Sequence, residues 1–119
     1  MSVRQAPAPH QEGELVGRGR REGNRLFKQW YAELDAAAES GDQAAYVFVM
    51  GSAAEVLKAF DLNLVFPEIN SLQMAVRKVS LEYLNKAEDY GYSTDVCGYV
   101  KADVGMHLDA RKHPNGRIP

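Results

Sequence analysis

An α/β fold built on a short parallel sheet, incomplete within this chain of 119 residues, is what the sequence predicts. Three observations predict it. Residues 44–50 read Ala-Ala-Tyr-Val-Phe-Val-Met, a continuous apolar run rich in β-formers, which is the pattern of a strand buried on both faces. A second run, 62–66, follows after room for a short helix, and strand–helix–strand order favours parallel pairing through a right-handed crossover. Beyond them, residues 71–90 repeat apolar side chains at helical spacing. Two strands with about four helices do not make a sheet covered on both faces. The module is therefore expected to be completed by further sequence or by a partner.

Residues 1–19 hold Pro, Gly, Gln and charge with little to bury, and read as a flexible or partner-bound arm; 20–119 read as the partial α/β domain. From Glu22 the pattern turns helical. Leu26, Trp30, Leu34 and Ala37 share a face, with Phe27, Tyr31 and Ala38 beside them. Ser40-Gly41-Asp42 ends that helix. Trp30 and Tyr31 read as packing or as a ligand platform.

Gly51-Ser52 breaks the first strand. Ser52 with Glu55 three residues later has capping-box spacing and opens a helix over 53–60. Asp61 turns the chain into the second strand, which Pro67 ends because it lacks an amide hydrogen for the ladder. Asn70 or Ser71 caps the helix 71–90, with Leu72, Val76, Val79, Tyr83, Ala87 and Tyr90 as its inner stripe. Lys78–Glu82 and Glu82–Lys86 have i,i+4 spacing, each worth ~0.3 kcal/mol on a solvated face. Gly91 punctuates the end. A last helix is predicted over 99–110, with Val100, Val104, His107 and Leu108 inward, and then a turn over 113–119.

A formal charge of −2 gives no general attraction to nucleic acid or to anionic lipid. The basic run Arg18, Arg20, Arg21, Arg25 and Lys28 reads as a solvated tail, a phosphate contact or a segment that folds onto a partner. The single cysteine, Cys97, excludes an intrachain disulfide. No apolar run reaches the roughly 18 residues of a membrane span, and the start lacks an apolar signal core, so the cytoplasm is expected. There is no G-x-G-x-x-G, no Gly-rich loop ending in Lys-Ser/Thr and no H-E-x-x-H. His10, His107 and His113 lie far apart with no metal-ligand pattern.

Two stretches carry candidate chemistry. Phe66-Pro67-Glu68-Ile69-Asn70-Ser71 lies between the carboxyl end of a strand and the start of a helix, where open α/β sheets place ligands. Glu68, Asn70 and Ser71 are substrate-pocket candidates there; the same residues also read as a turn and a helix cap. In Ser93-Thr94-Asp95-Val96-Cys97-Gly98-Tyr99, Cys97 stands at a helix start. That position favours thiolate, the form that binds iron, and Gly98 allows close backbone approach. The alternative for Cys97 is a buried packing thiol.

Phe66-Pro-Glu-Ile-Asn70, the run Ala87-Glu-Asp-Tyr-Gly-Tyr-Ser93, and Asp95-Val-Cys-Gly-Tyr-Val-Lys101 resemble the 2-hydroxyacyl-CoA dehydratase and benzoyl-CoA reductase family. The closer likeness is to the amino-terminal portion of a cluster-bearing subunit of ATP-dependent class I benzoyl-CoA reductase, over roughly 46–119. The resemblance implies paired Rossmann-like lobes holding a [4Fe-4S] cluster through scattered cysteines, with Cys97 as the first. The later ligands have no counterpart here, so this chain alone holds no cluster. Met50-Gly51-Ser52 stands where many relatives carry a ligand or another polar residue, and nothing is carried over to it. The implied partners are a related cluster-bearing subunit, a separate ATP-hydrolysing iron–sulfur activator and an acyl-CoA substrate, with neither nucleic acid nor membrane. The implied reaction is low-potential electron transfer to the aromatic ring of benzoyl-CoA, giving a cyclic diene. The alternative is dehydration of a 2-hydroxyacyl-CoA through a ketyl radical. Two other classes remain: a non-catalytic assembly or interaction module, and a thiol enzyme built on Cys97, for which no histidine stands in a motif-level relation as base.

Overall fold

A computed structural model describes residues 9–119, with side-chain surroundings from residue 17 onward. The chain divides into two units, Met1–Trp30 and Tyr31–Pro119. Helix α1, Pro9–Ser40, begins ahead of the Glu22 start that its apolar periodicity predicts. Residues 1–8 of the expected arm lie outside the described residues. Within the first unit, Arg25 pairs with Glu22 at 2.6 Å, and Phe27 meets Trp30 edge-on at 5.6 Å. The remaining elements belong to the second unit and are described by themselves.

Gly41 stops α1 as expected: at φ 76 it adopts the left-handed conformation and donates its amide to the Ala37 carbonyl at 2.9 Å. Strands β1, Ala44–Tyr46, and β2, Asn63–Val65, pair in parallel with Ala45 opposite Leu64. The expected parallel pairing is present, but β1 is shorter than 44–50. The reason is its partner. Pro67 turns the chain into a helix directly after β2, so beyond the Val47 amide, which donates to Val65 at 2.9 Å, β1 has nothing to pair with. Phe48, Val49 and Met50 are consequently exposed.

Helix α2, Ala54–Ala59, carries no side-chain cap, so the Ser52–Glu55 capping box does not form; Ala53 at φ 56 leads into it instead. Helix α3, Pro67–Val76, starts with Pro67 in its first turn, where the missing amide hydrogen leaves no bond unmade. The single helix expected over 71–90 is in fact two. After α3, Lys78 takes φ 60, the Val79 amide reaches back to the Met74 carbonyl at 3.0 Å, and α4 runs Ser80–Tyr90. The break changes the phase. In α3 the buried residues are Pro67, Asn70, Ser71 and Met74; in α4 they are Tyr83 and Ala87. One continuous helix cannot turn both sets inward. Leu72 and Val76, expected inside, are exposed for this reason, whereas Tyr90, in phase with Tyr83, is exposed as the last residue of α4. Of the two expected i,i+4 pairs, Glu82–Lys86 forms, at 3.0 Å.

Helix α5, Gly98–Leu108, buries Lys101, Ala102, Gly105 and Met106, so His107 and Leu108, expected inward, face out. Gly105, with no side chain, lets α5 approach the α4 backbone closely. An added Cβ on Gly105 would overlap the Tyr83 carbonyl oxygen and stand 2.6 Å from its carbon. The tail is a packed hairpin, β3, Lys112–His113, against β4, Gly116–Arg117, antiparallel. Asp35 accepts the Arg117 amide at 2.7 Å, and Ile118 enters the core with Leu34, Val65, Met74 and Met106. The result is a small mixed α/β domain with one parallel and one antiparallel sheet of two strands each among the described residues. No helix among the described residues is long and apolar enough to cross a membrane.

Candidate functional site

The two stretches singled out in the sequence meet at the amino-terminal ends of α3 and α5. α3 opens directly after β2, at the carboxyl end of the parallel pair. From its second turn, Ser71 donates its hydroxyl to the Tyr99 carbonyl in the first turn of α5 at 2.7 Å. The loop that leads into α5 turns at Gly91, φ 122, and carries two local bonds. The Asp95 amide donates to Ser93 Oγ, and the Val96 amide to the Ser93 carbonyl, each at 3.2 Å.

Cys97 is the residue that caps α5. Its backbone is non-helical, φ −45 and ψ 129, and its carbonyl accepts the Lys101 amide at 3.0 Å. Its thiol is free, exposed and not used as a side-chain cap. It is therefore not a buried packing thiol. Gly98 is not a steric necessity, since an added Cβ would meet only Leu84 Cδ2 at 3.9 Å.

The substrate-pocket candidates occupy different surroundings. Glu68, in the first turn of α3, is half-buried. Asn70 is wholly buried and holds a polar tie together. Its Oδ1 accepts the Tyr31 hydroxyl at 3.0 Å, and its carbonyl lies 3.1 Å from His113 Nε2. Because the Asn115 amide donates to His113 Nδ1 at 3.1 Å, Nε2 carries the proton that His113 gives to Asn70. The Tyr31 and His113 rings stack at 5.0 Å. Burial pushes the Tyr31 phenol up to about 12 and the His113 imidazole down to about 4. Asn70 Nδ2 has no partner among the described residues. Tyr31 thus packs rather than forming an open ligand platform. Tyr31→Phe, which strips Asn70 Oδ1 of a buried donor, is expected to lower stability by about 1–2 kcal/mol in urea unfolding.

The sequence reading missed two clusters. Lys101, one helical turn beyond Cys97, is buried and bonded to Glu88 and Thr94. Its distance of four residues from Cys97 is the only signal the sequence carries. Asp103 lies 3.6 Å from His107, whose ring is 5.5 Å from that of Tyr46. Burial raises the Asp103 carboxyl while His107 opposes the shift, and Asp103 Oδ1 is unpartnered. Among the described residues no three His, Cys, Asp or Glu side chains are grouped to hold a metal ion. A recess of about 300 Å³ lined by Ala37, Asp42, Arg111 and Arg117 lies apart from Cys97 and from the pocket candidates.

No protein-family model matches the chain. A benzoyl-CoA reductase subunit of Thauera aromatica is 40% identical over 87 residues, 73% of this chain and 20% of that protein. The alpha subunit of (R)-2-hydroxyisocaproyl-CoA dehydratase of Clostridioides difficile is 35% identical over 86 residues, 70% of this chain and 20% of that protein. The chain spans about one fifth of the length of these curated relatives. Over the matched part, it is homologous to the benzoyl-CoA reductase/2-hydroxyacyl-CoA dehydratase superfamily.

Proposed function

We propose that this chain is the amino-terminal portion of an iron–sulfur subunit of a benzoyl-CoA reductase, in which Cys97 gives one thiolate to a [4Fe-4S] cluster. The observation that carries the reading is the free, exposed Cys97 thiol at the α5 amino terminus, not used as a side-chain cap, in a chain 40% identical over 87 residues to a benzoyl-CoA reductase subunit. The donor chemistry fits. A thiolate is a normal ligand of iron–sulfur clusters, and the amides of a helix start favour an anion. One cysteine supplies one ligand, so the others belong to polypeptide beyond these 119 residues or to a partner.

When bound, such a cluster supplies single electrons of low potential, which reduction of the benzoyl-CoA ring to a cyclic diene requires. The residues of this chain shape the surroundings. Ser71 ties the start of α3 to the start of α5. Asn70 anchors α3 to the hairpin through His113. Glu68, half-buried beside them, is the pocket candidate with a carboxylate to offer an acyl-CoA substrate. The complete assembly includes a related cluster-bearing subunit and a separate ATP-hydrolysing iron–sulfur activator, and works in the cytoplasm. The second reading, a 2-hydroxyacyl-CoA dehydratase working through a ketyl radical, is favoured by the 35% identity to a dehydratase subunit. Reduction is preferred because the identity to the reductase subunit is higher.

The test is Cys97→Ala in the full complex. Iron and sulfide content should fall, or the EPR spectrum change, and acyl-CoA-dependent electron transfer should be lost while the activator still hydrolyses ATP. Full cluster content with an unchanged spectrum and normal turnover would remove Cys97 from the mechanism. Products formed from benzoyl-CoA and from a 2-hydroxyacyl-CoA separate the two reactions.

A further inference from the structure

A lysine is rarely buried unless paired, and Lys101 is 5% exposed. Its ammonium donates to Glu88 Oε1 at 2.6 Å and to the Thr94 carbonyl at 3.0 Å. Glu88 stands on α4, Thr94 in the connecting loop and Lys101 on α5. One nitrogen therefore joins both helices to the loop between them. The amide of the same residue holds the Cys97 carbonyl at 3.0 Å. Inside the loop, the bonds of Asp95 and Val96 to Ser93 span only two and three residues. Turns held by such local bonds open readily on their own.

We infer that Lys101 is a positioning residue: its ammonium, locked between Glu88 and Thr94, fixes the loop 93–97 and so the direction in which Cys97 presents its sulfur. Glu88 neutralises the lysine at 2.6 Å, so Lys101 acts through geometry rather than through a field at the thiol. The consequence for a cluster rests on the proposed role of Cys97; the clamp on the loop does not. The long stem of Lys101 also fills space between α4 and α5. A methionine keeps that packing while removing the hydrogen bonds, and an arginine restores a donor with both charge and reach.

Amide hydrogen exchange of the 119-residue chain tests the clamp. In Lys101→Met and in Glu88→Gln, exchange at Asp95 and Val96 should rise about tenfold or more, while Ala102 and Met106 in the buried face of α5 stay within about twofold. Lys101→Arg should recover most of the protection. Lys86→Met, which removes the more exposed contacts of Lys86 with Glu82 and Asp109, should leave the loop unchanged. Unchanged loop exchange in Lys101→Met, or an equal rise throughout α5, overturns the clamp whether or not Cys97 binds iron. In the cluster-bearing complex, Lys101→Met should shift the cluster EPR signal at full iron content, with Lys101→Arg restoring it; an unshifted signal overturns the control of sulfur presentation. A clamp intact by exchange, together with full cluster content in Cys97→Ala, instead removes only the ligand reading.

Discussion

Gly105→Ala is expected to lower stability by about 3 kcal/mol or more, at the upper end of the penalty for overpacking a core. The cause is backbone rather than side chain. α5 crosses α4 so closely that a Cβ on Gly105 would overlap the Tyr83 carbonyl oxygen and stand 2.6 Å and 2.8 Å from the Tyr83 carbonyl carbon and Cα. No rotamer change relieves such a clash; one helix must move. Tyr83 and Ala87 on α4 and Ala102 and Met106 on α5 are buried where that movement would occur. Urea unfolding followed by far-UV circular dichroism measures the loss. Gly98→Ala is the control: its Cβ would find only the flexible end of Leu84 at 3.9 Å, and a change within about 0.5 kcal/mol is expected. Equal effects at the two positions would mean that the helices are not packed as described.

Acid should destabilise the fold through His113. Its imidazole lies between Tyr31 and the Asn70 carbonyl, and burial, aided by Arg77 and opposed by the Asn70 hydrogen bond, pushes it down from 6.5 to about 4. In this interval the unfolded chain takes up the proton and the folded chain does not. The stabilisation is thus fully present above pH 6.5, declines as the pH falls through the interval, and is lost below about 4, a total on the order of 3 kcal/mol. The structure also gives the reason protonation is resisted: Nδ1 is already an acceptor for the Asn115 amide, so a second ring proton would face a donor. Urea midpoints between pH 7.5 and 4 in the native chain and in His113→Gln measure the effect by difference, since the glutamine does not titrate. Parallel curves for the two proteins would show that His113 is not held neutral.

The parts legible in the sequence are those governed by neighbours along the chain. The two apolar runs predict strands in parallel, and Ala45 stands opposite Leu64. Gly41 ends α1 because only a residue that tolerates positive φ turns the chain there. Cys97 falls at a helix start, and the fold leaves its thiol exposed. The misreadings share another character. The stripe drawn from Leu72 to Tyr90 extends the phase of Tyr83 and Ala87 backwards across a break that no glycine or proline announces. In α5, the face holding Val104, His107 and Leu108 gives way to that of Lys101, Ala102, Gly105 and Met106, because the close approach to α4 requires Gly105 at the contact.

By itself, then, the sequence determined the two strands with a short helix between them, the parallel sense of their pairing, and the candidate thiol, in a stretch that resembles the benzoyl-CoA reductase and 2-hydroxyacyl-CoA dehydratase family. Periodicity, glycine at a positive φ and a helix start are local properties, set within a few residues. Only the tertiary structure decided where β1 stops, how Lys78 re-phases α3 into α4, and which face of α5 is buried. It also decided that Asn70 meets Tyr31 and His113, and that Lys101 binds Glu88 and Thr94. Those outcomes depend on groups brought together across 7 to 43 positions of chain. Close packing and the need to satisfy buried polar groups outweigh propensities of at most about 1 kcal/mol per ordinary residue.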